Sequence, residues 1–360
     1  MSELKLDRVT PSASGGEGQF PLNQWYVAGF SSELTDKPIA RTLLGQPVVL
    51  FRTAEGQAAA LEDRCCHRSL PLSFGSVEVC GIRCGYHGLL YAPNGQCIEI
   101  PGQEKIPSRA RVKSYTMSEK QHLLWIWMSD SSGTAPTHNA PDYPHHDNPE
   151  YSFGTGVFHY DAPYQLVHDN LLDLSHVGYV HAKTIGGNAR QHMNSKLEVT
   201  SEGNVVRAIR MMPGTPPPPT YKAAWPFAAS CDRWQECEFD VTHLRIFTGA
   251  MEPGSGQIDA PDRGGFHMRG FHGVTPETAE TTHYFWSIAT NHHPDMPDTI
   301  DITVQQVKDT FEEDRVIIEA QFANMKKFGS AASWTDIHVD AGTNRARRIV
   351  EKLVQQPDSR

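Results

Sequence analysis

A chain of 360 residues with 39% apolar and 21% charged side chains has the composition of a globular protein, with room for about two domains, and not of a disordered one. Its 32 Lys+Arg against 42 Asp+Glu give a net charge of −10, which argues against nucleic acid or an anionic membrane as the main partner. Seven Cys are too few for a disulfide-stapled scaffold of this length, whereas 18 His are the first sign of metal or proton chemistry.

In chain order, residues 1–20 are polar, rich in Ser and Gly, and read as a loose lead-in without the basic-then-apolar pattern of a secretion signal. No apolar run approaches the ~18 residues of a membrane span, so a soluble, cytoplasmic protein is the expectation. From Asn23 to Met128 short β-like runs alternate with turns, the clearest at 48–51, 58–61, 88–91, 97–100 and 123–127. Pro93-Asn94-Gly95 lies between two of them as a tight hairpin turn. The pattern predicts a small all-β domain over residues 20–135. Residues 129–150, rich in Pro, Ser, Asp and His, follow no period and read as a linker. Residues 150–355 then mix strands and helices, which makes the fold class α+β. Residues 197–212 and 236–251 read as strands, Pro216 to Pro219 as an extended loop and 291–294 as a surface loop. Residues 302–328 carry the strongest amphipathic helix, and 344–355 a shorter one.

Two Cys/His pairs stand out in the β region. Cys65 and His67 form C-x-H; Cys84 and His87 form C-x-x-H, sixteen residues on. Pairs so spaced can sit on two neighbouring loops and close over one metal centre, and Pro71, Gly85 and Gly88 suit loops that turn sharply. A structural zinc site usually pairs Cys with Cys and His with His. A [2Fe–2S] cluster with two Cys on one iron and two His on the other fits mixed pairs better. Such a cluster is less negative than an all-Cys one, has a higher potential, and passes single electrons through a histidine. Cys66 and Cys80 read as small apolar residues or a redox-labile pair.

The second constellation is Asp173, His176 and His181. Asp173 and His176 are three apart and share a helix face. His176 and His181, five apart, splay by about 140° on a regular helix. They converge on one ion only if the helix widens or ends near Gly178. The long helix supplies the third ligand. Its apolar stripe runs Val304, Val307, Phe311, Ile318, Phe322, Met325, and the slot between Phe311 and Ile318 holds Asp314. A carboxylate inside an apolar stripe is costly unless paired or bound to metal. Asp309, Glu312 and Glu313 fall off the stripe and read as solvated. Two His and one carboxylate make the facial triad of non-haem Fe(II) oxygenases, with positions left open for dioxygen and substrate. Asp173 can then accept the free N–H of His176, or bridge to a cluster histidine.

Taken together, C-x-H…C-x-x-H and N-x-x-D-x-x-H-x-x-x-x-H (Asn170 to His181) resemble the oxygenase components of Rieske non-haem iron enzymes. Within these the chain is most similar to the vanillate O-demethylase and dicamba monooxygenase group. The stretches Asn23-Gln24-Trp25-Tyr26-Val27-Ala28, Asp232-Arg233-Trp234-Gln235, Phe311-Glu312-Glu313-Asp314, Asp340-Ala341-Gly342 and Arg347-Arg348 share the likeness, which spans roughly residues 20 to 353. The resemblance implies an N-terminal Rieske domain and a helix-flanked, helix-grip-like antiparallel-sheet catalytic domain. It implies one [2Fe–2S] cluster and one Fe(II) per subunit, with electrons from NAD(P)H through a flavin and iron–sulfur reductase or a ferredoxin. It also implies a homotrimer in which His87 of one subunit reaches His176 of the next through Asp173, with Asn170 and Asp173 as catalytic residues. Typical reactions are O-demethylation of methoxylated aromatic acids and related hydroxylations.

For the substrate, His272 falls where the dicamba enzyme carries a contacting histidine, whereas Phe247 and Gln305 depart from that pocket. His243, Arg245 and Phe247 alternate on one strand face, and Arg245 is a candidate to hold a substrate carboxylate, with Phe247 beside it. The first reading is therefore a monooxygenase component acting on a small aromatic acid and O2. The rivals are a ring-hydroxylating dioxygenase with the same metals, a Rieske electron carrier without catalysis, and a structural zinc protein.

Overall fold

The computed structural model describes residues 20–129, 134–329 and 334–355; the lead-in at 1–19 and positions 130–133 of the expected linker lie outside the described residues. The N-terminal part is built of strands β1 (Gln24–Phe30), β2 (Ile39–Leu43), β3 (Gln46–Arg52), β4 (Ala58–Glu62), β5 (Ser76–Glu78), β6 (Gly81–Arg83), β7 (Leu90–Tyr91), β8 (Cys97–Glu99), β9 (Ser114–Tyr115), β10 (Met117–Lys120) and β11 (Leu123–Met128). They form three antiparallel sheets, β1-β11-β10, β2-β3-β4-β9 and β5-β6-β7-β8. The Pro93-Asn94-Gly95 turn joins β7 to β8, with Gly95 at φ +80°, where a side chain is strained.

The C-terminal part holds one antiparallel sheet of β12 (Tyr151–Tyr160), β13 (Leu197–Glu202), β14 (Val205–Thr215), β15 (Cys231–Asp240), β16 (His243–Met251), β17 (Phe266–Pro276) and β18 (Thr282–Asn291), in the order β12-β18-β17-β16-β15-β14-β13. Its helices are α1 (Tyr164–Leu172), α2 (Val177–Val180), α3 (Ala189–Asn194), α4 (Pro219–Ala224), α5 (Thr299–Phe328) and α6 (Ala341–Gln355). The architecture is α+β. Among the described residues, no helix is long and apolar enough to cross a membrane.

Both faces of the large sheet are covered, and all eleven residues of β17 are buried as a result. One face carries α5, α1 and α6. Phe311 of α5 stacks edge-on against Tyr284 and Trp286 at 5.4 Å each. The other face carries the N-terminal strands: Trp25, Val27, Phe30, Trp125 and Trp127 form one apolar cluster with Phe271 and Phe285.

Three expectations need adjustment. Residues 197–212 and 236–251 are not single strands but the greater parts of two hairpins, β13–β14 and β15–β16. The second turn escaped notice because it has no Gly or Pro: Val241 sits at φ +53°, rare for a β-branched residue. Thr242 Oγ1 next to it donates to Trp25 O at 2.7 Å, so the N-terminal domain helps hold that turn. Finally, the described part of the 129–150 segment is a packed strap and not a free linker. Tyr143 is buried and donates to Arg269 O at 2.8 Å, and His146 bridges Gln121 O and Ser287 Oγ.

Candidate functional site: two metal centres and a cavity

The four Cys/His residues lie on two loops of the same construction. Cys65 N–H donates to Leu70 O and Cys65 O accepts from Ser69 N; Cys84 N–H donates to Leu89 O and Cys84 O accepts from Gly88 N. Each loop closes through a residue of positive φ, Ser69 at +58° and Gly88 at +73°. The result is a pair of matched fingers. Both cysteines are 2% exposed, while the rings of His67 and His87 meet edge-on at 4.5 Å in exposed positions. Burial, and the neighbouring Cys65, push the Cys84 thiol up; two thiols facing each other in an apolar pocket are a donor set for a cation. Tyr91 Oη lies 3.2 Å from Cys65 Sγ and from Cys66 Sγ, and accepts from Cys66 N at 3.1 Å. Cys66 is thus tied to Tyr91, while Cys80 is exposed at the β5–β6 turn.

The second centre is assembled from a broken helix. α1 ends at Leu172; Asp173 is extended (φ −105°, ψ 95°); a single tight turn over Leu174–His176 runs into α2, and His181 follows its last residue at φ −108°, ψ 34°. The helix ends, and so removes the angular splay that a continuous helix imposes. One oxygen of Asp314, on α5, lies 3.0 Å from His181 Nε2 and 3.4 Å from His176 Nε2, and all three ligand atoms fall within 4.8 Å of one another. Ligands at right angles on bonds of about 2.1 Å sit about 3 Å apart, so the spacing suits a first-row metal.

The histidine tautomers agree. His176 Nδ1 donates to Asp173 O at 2.7 Å and His181 Nδ1 to Glu313 Oε2 at 2.7 Å, which turns both Nε2 atoms toward Asp314, as N–H donors to its carboxylate when the rings are protonated and as lone pairs for a metal when they are neutral. Asn170 Nδ2 donates to the same Asp314 oxygen at 2.9 Å. Burial by itself would raise the Asp314 carboxyl, but the hydrogen bonds and charges of His176 and His181 hold it well below the usual carboxylate range. A buried anion between two imidazoles is a cation site.

Two sequence expectations change here. Asp173 does not offer its carboxylate to His176: that histidine takes the main-chain carbonyl, and the carboxylate caps the next turn through Ser175 N and Oγ, both at 2.9 Å. Glu313 is half-exposed yet is also the hydrogen-bond acceptor of His181 Nδ1. It lay one residue off the apolar stripe because it approaches the site from the side.

Beside Asp314 lies a cavity of about 50 Å³, bounded on the sheet side by Gln235, Ile246, Thr248, Met268 and His272. His272 is thus in the wall, with Nδ1 2.6 Å from Tyr284 Oη, and burial pushes its imidazole down to about 3, so it stays neutral. Arg245 and Phe247 are not in the wall. β16 puts Leu244, Ile246 and Thr248 on the cavity face, and Arg245 and Phe247, one residue out of phase, on the N-terminal-domain face. Arg245 pairs with Glu238 at 2.9 Å and donates to Asp142 O, and Phe247 lies under the Arg269 guanidinium. Sequence reasoning missed the polar pair that does face the cavity. Gln235 and Thr248 are direct cross-strand neighbours, and Gln235 Oε1, Thr248 Oγ1 and His272 Nε2 are buried with no hydrogen-bond partner among the described residues. The signal available was parity: both lie an even number of residues from apolar core positions on the same strands.

Comparison with known families decides the identity. Residues 24–116 match the Rieske [2Fe-2S] domain, and residues 160–356 match the vanillate O-demethylase oxygenase C-terminal domain. The chain belongs to the Rieske non-haem iron oxygenases. It is 38% identical to a putative toluene-4-sulfonate monooxygenase system iron-sulfur subunit of Comamonas testosteroni, covering 92% of this chain and 96% of that protein. It is 34% identical to a vanillate O-demethylase oxygenase subunit of Pseudomonas sp. (strain HR199 / DSM 7063), covering 93% and 95%. The crystal structure of dicamba monooxygenase bound to dicamba superposes with a TM-score of 0.86 at 31% identity, covering 95% of this chain and 100% of that one. As a Rieske oxygenase component the chain is an oxidoreductase that uses O2, carries one [2Fe–2S] cluster and one non-haem iron, and works with a reductase or ferredoxin partner.

Proposed function

We propose that this Rieske oxygenase acts on a small aromatic acid, by oxidative O-demethylation or by hydroxylation, with His176, His181 and Asp314 holding Fe(II) and Cys65, His67, Cys84 and His87 holding the cluster. The observation that carries the reading is the cavity, which ends on the Asp314 triad and has an apolar wall interrupted by three unpartnered polar atoms. An apolar body with a few fixed hydrogen-bonding groups is what an aromatic ring with one polar substituent fits. When bound, the cluster supplies single electrons and the iron activates dioxygen.

The chain's own residues do the rest. Asn170 orients the Asp314 carboxylate, Glu313 and the Asp173 carbonyl fix the histidine tautomers, and Gln235, Thr248 and His272 orient the substrate's polar group. The exposed edges of His67 and His87 are the exit for electrons, and in a homotrimer His87 would meet Asp173 beside His176 of the next subunit.

A screen of methoxybenzoates and arenesulfonates with NADH and a surrogate reductase tests the reaction. Formaldehyde release supports O-demethylation, and a hydroxymethyl product without formaldehyde supports methyl hydroxylation. NADH-dependent consumption of none of these substrates would sink the substrate class. Light scattering at three times the chain mass is expected for the trimer.

A further inference from the structure

The loop that follows His181 folds back onto it. Thr184 N and Gly186 N both donate to His181 O, at 3.0 and 2.8 Å. A Cβ on Gly186 would come within 2.5 Å of both His181 O and Val177 O, so the return is tight enough to require glycine. Side chains hold the rest of this loop: Thr310 Oγ1 donates to Thr184 Oγ1 at 2.9 Å, and Arg233 and His192 take the carbonyls at 185 and 186. Arg233 Nη1 donates to Gly186 O at 3.0 Å and Nη2 to Ile185 O at 2.9 Å, a fork across two successive carbonyls. His192 Nε2 meets the same Gly186 oxygen at 2.8 Å. Burial, with the nearby guanidinium second, pushes the His192 imidazole down to about 3, so it stays neutral beside Arg233.

Arg233 is rooted near the start of β15, opposite Met212 and Ala250, is 3% exposed, and lies over the Tyr221 ring at 5.0 Å. Among the described residues no carboxylate pairs with it. A buried cation spent on carbonyls and a ring is costly, so its position needs a reason. Arg233 and Ile185 also both line the cavity.

We infer that Arg233 is a positioning residue for the mononuclear centre: its fork fixes the 182–186 loop, and the loop fixes His181 through its main-chain carbonyl. The inference rests on the reading of His181 as an iron ligand. It makes the sheet wall of the substrate cavity and the iron ligand one mechanical unit, joined through Ile185 and Gly186. Lysine cannot replace the fork, because a single ammonium cannot span both carbonyls in a fixed plane.

The test compares Arg233→Lys, Arg233→Met and Gly186→Ala with His181→Ala in the full-length protein. The readouts are iron affinity by chelator competition, the visible spectrum of the cluster, and amide exchange of residues 184–186. The expected result is iron bound ~10-fold more weakly or worse, graded Met beyond Lys, as for other groups that orient a ligand histidine. Amide exchange at Gly186 should rise, the cluster spectrum stay unchanged, and kcat fall more than KM rises. Wild-type iron affinity and exchange in the Arg233 variants, with KM raised for anionic substrates alone, would make Arg233 a substrate contact and overturn the inference. Should the Arg233 variants fail to fold, Gly186→Ala carries the same test, and wild-type iron binding in it overturns the inference equally. If His181→Ala itself keeps its iron, the ligand assignment is what has failed; if it loses iron while Arg233→Lys and Arg233→Met do not, the inference alone has failed.

Discussion

At the scale of single residues, the two centres differ in what surrounds their ligands. The proposed iron ligands are steered by hydrogen bonds: His176 donates to a carbonyl and His181 to a carboxylate, whereas Asp314 accepts from the Asn170 amide. Replacing His176, His181 or Asp314 by Ala should empty the mononuclear site and leave the cluster spectrum intact, read by iron analysis and visible absorption. Full iron and turnover in Asp314→Ala would instead point to Glu313 as the ligand. Glu313→Gln keeps the shape but weakens the charge-assisted bond to His181 Nδ1, and should cost about 10-fold in iron affinity. The cluster has a donor of its own. Tyr91 Oη can bond the Cys65 sulfur, which favours the more negative, reduced cluster, so Tyr91→Phe should lower the reduction potential in a spectroelectrochemical titration. An unchanged potential would mean that the hydroxyl bonds Cys66 instead. Asp173 is half-buried, and among the described residues its carboxylate is bonded by Ser175 and by no histidine. Asp173→Asn should load both metals yet slow cluster reoxidation in single turnover; wild-type rates would remove it from the electron path.

At the scale of elements, α5 does two things at once. Its apolar stripe docks on β18, and the one carboxylate in that stripe, Asp314, faces His176 and His181. Phe311, one turn before Asp314, touches His272, Tyr284 and Trp286. Phe311→Ala should cost about 3–5 kcal/mol in chemical denaturation and enlarge the cavity beside the triad. A loss below about 1 kcal/mol would show that the site collapses around the gap. The break between α1 and α2 matters as much as the helices. Asp173 closes α1, and Ser175 turns the chain so that His176 and His181 converge. Arg347 of α6 pairs with Asp169 of α1, and ties the residue next to Asn170 to the C-terminal helix.

At the scale of the whole molecule, the join between the two domains is lined with histidines that are held neutral. Burial foremost pushes His145, His146 and His267 down to about 4 and His243 down to about 3. Their folded values lie below the unfolded value of about 6.5, so the unfolded chain binds more protons as pH drops. The stability they allow is fully present above about pH 6.5 and is lost as pH falls through 6 toward 4. Denaturation midpoints at pH 7.5, 6 and 5 should therefore fall steadily, with no comparable loss above neutrality. His243→Phe should flatten the fall, since both ring nitrogens of His243 lack partners among the described residues and its ring stacks on Phe271. A profile equally steep in the variant would place the acid sensitivity elsewhere.

The amino-acid sequence by itself determined the chemistry: which Cys and His form two mixed pairs, and that Asp314 interrupts an apolar stripe. These are local facts, set by spacing and by the cost of a buried charge, and they hold whatever the chain does elsewhere. Tertiary structure decided what depends on phase and on distant neighbours. Arg245 and Phe247 share a face, as alternation requires, but only the packing of the N-terminal strands against that side of the sheet shows it to be the wrong one. Gln235 and Thr248 became a pair only when β15 and β16 met in register. Glu313 found His181 across 132 residues of chain, and Arg233 found its two carbonyls across 47 and 48. Periodicity places a side chain on a face; which element covers that face is fixed by the summed packing of the whole fold.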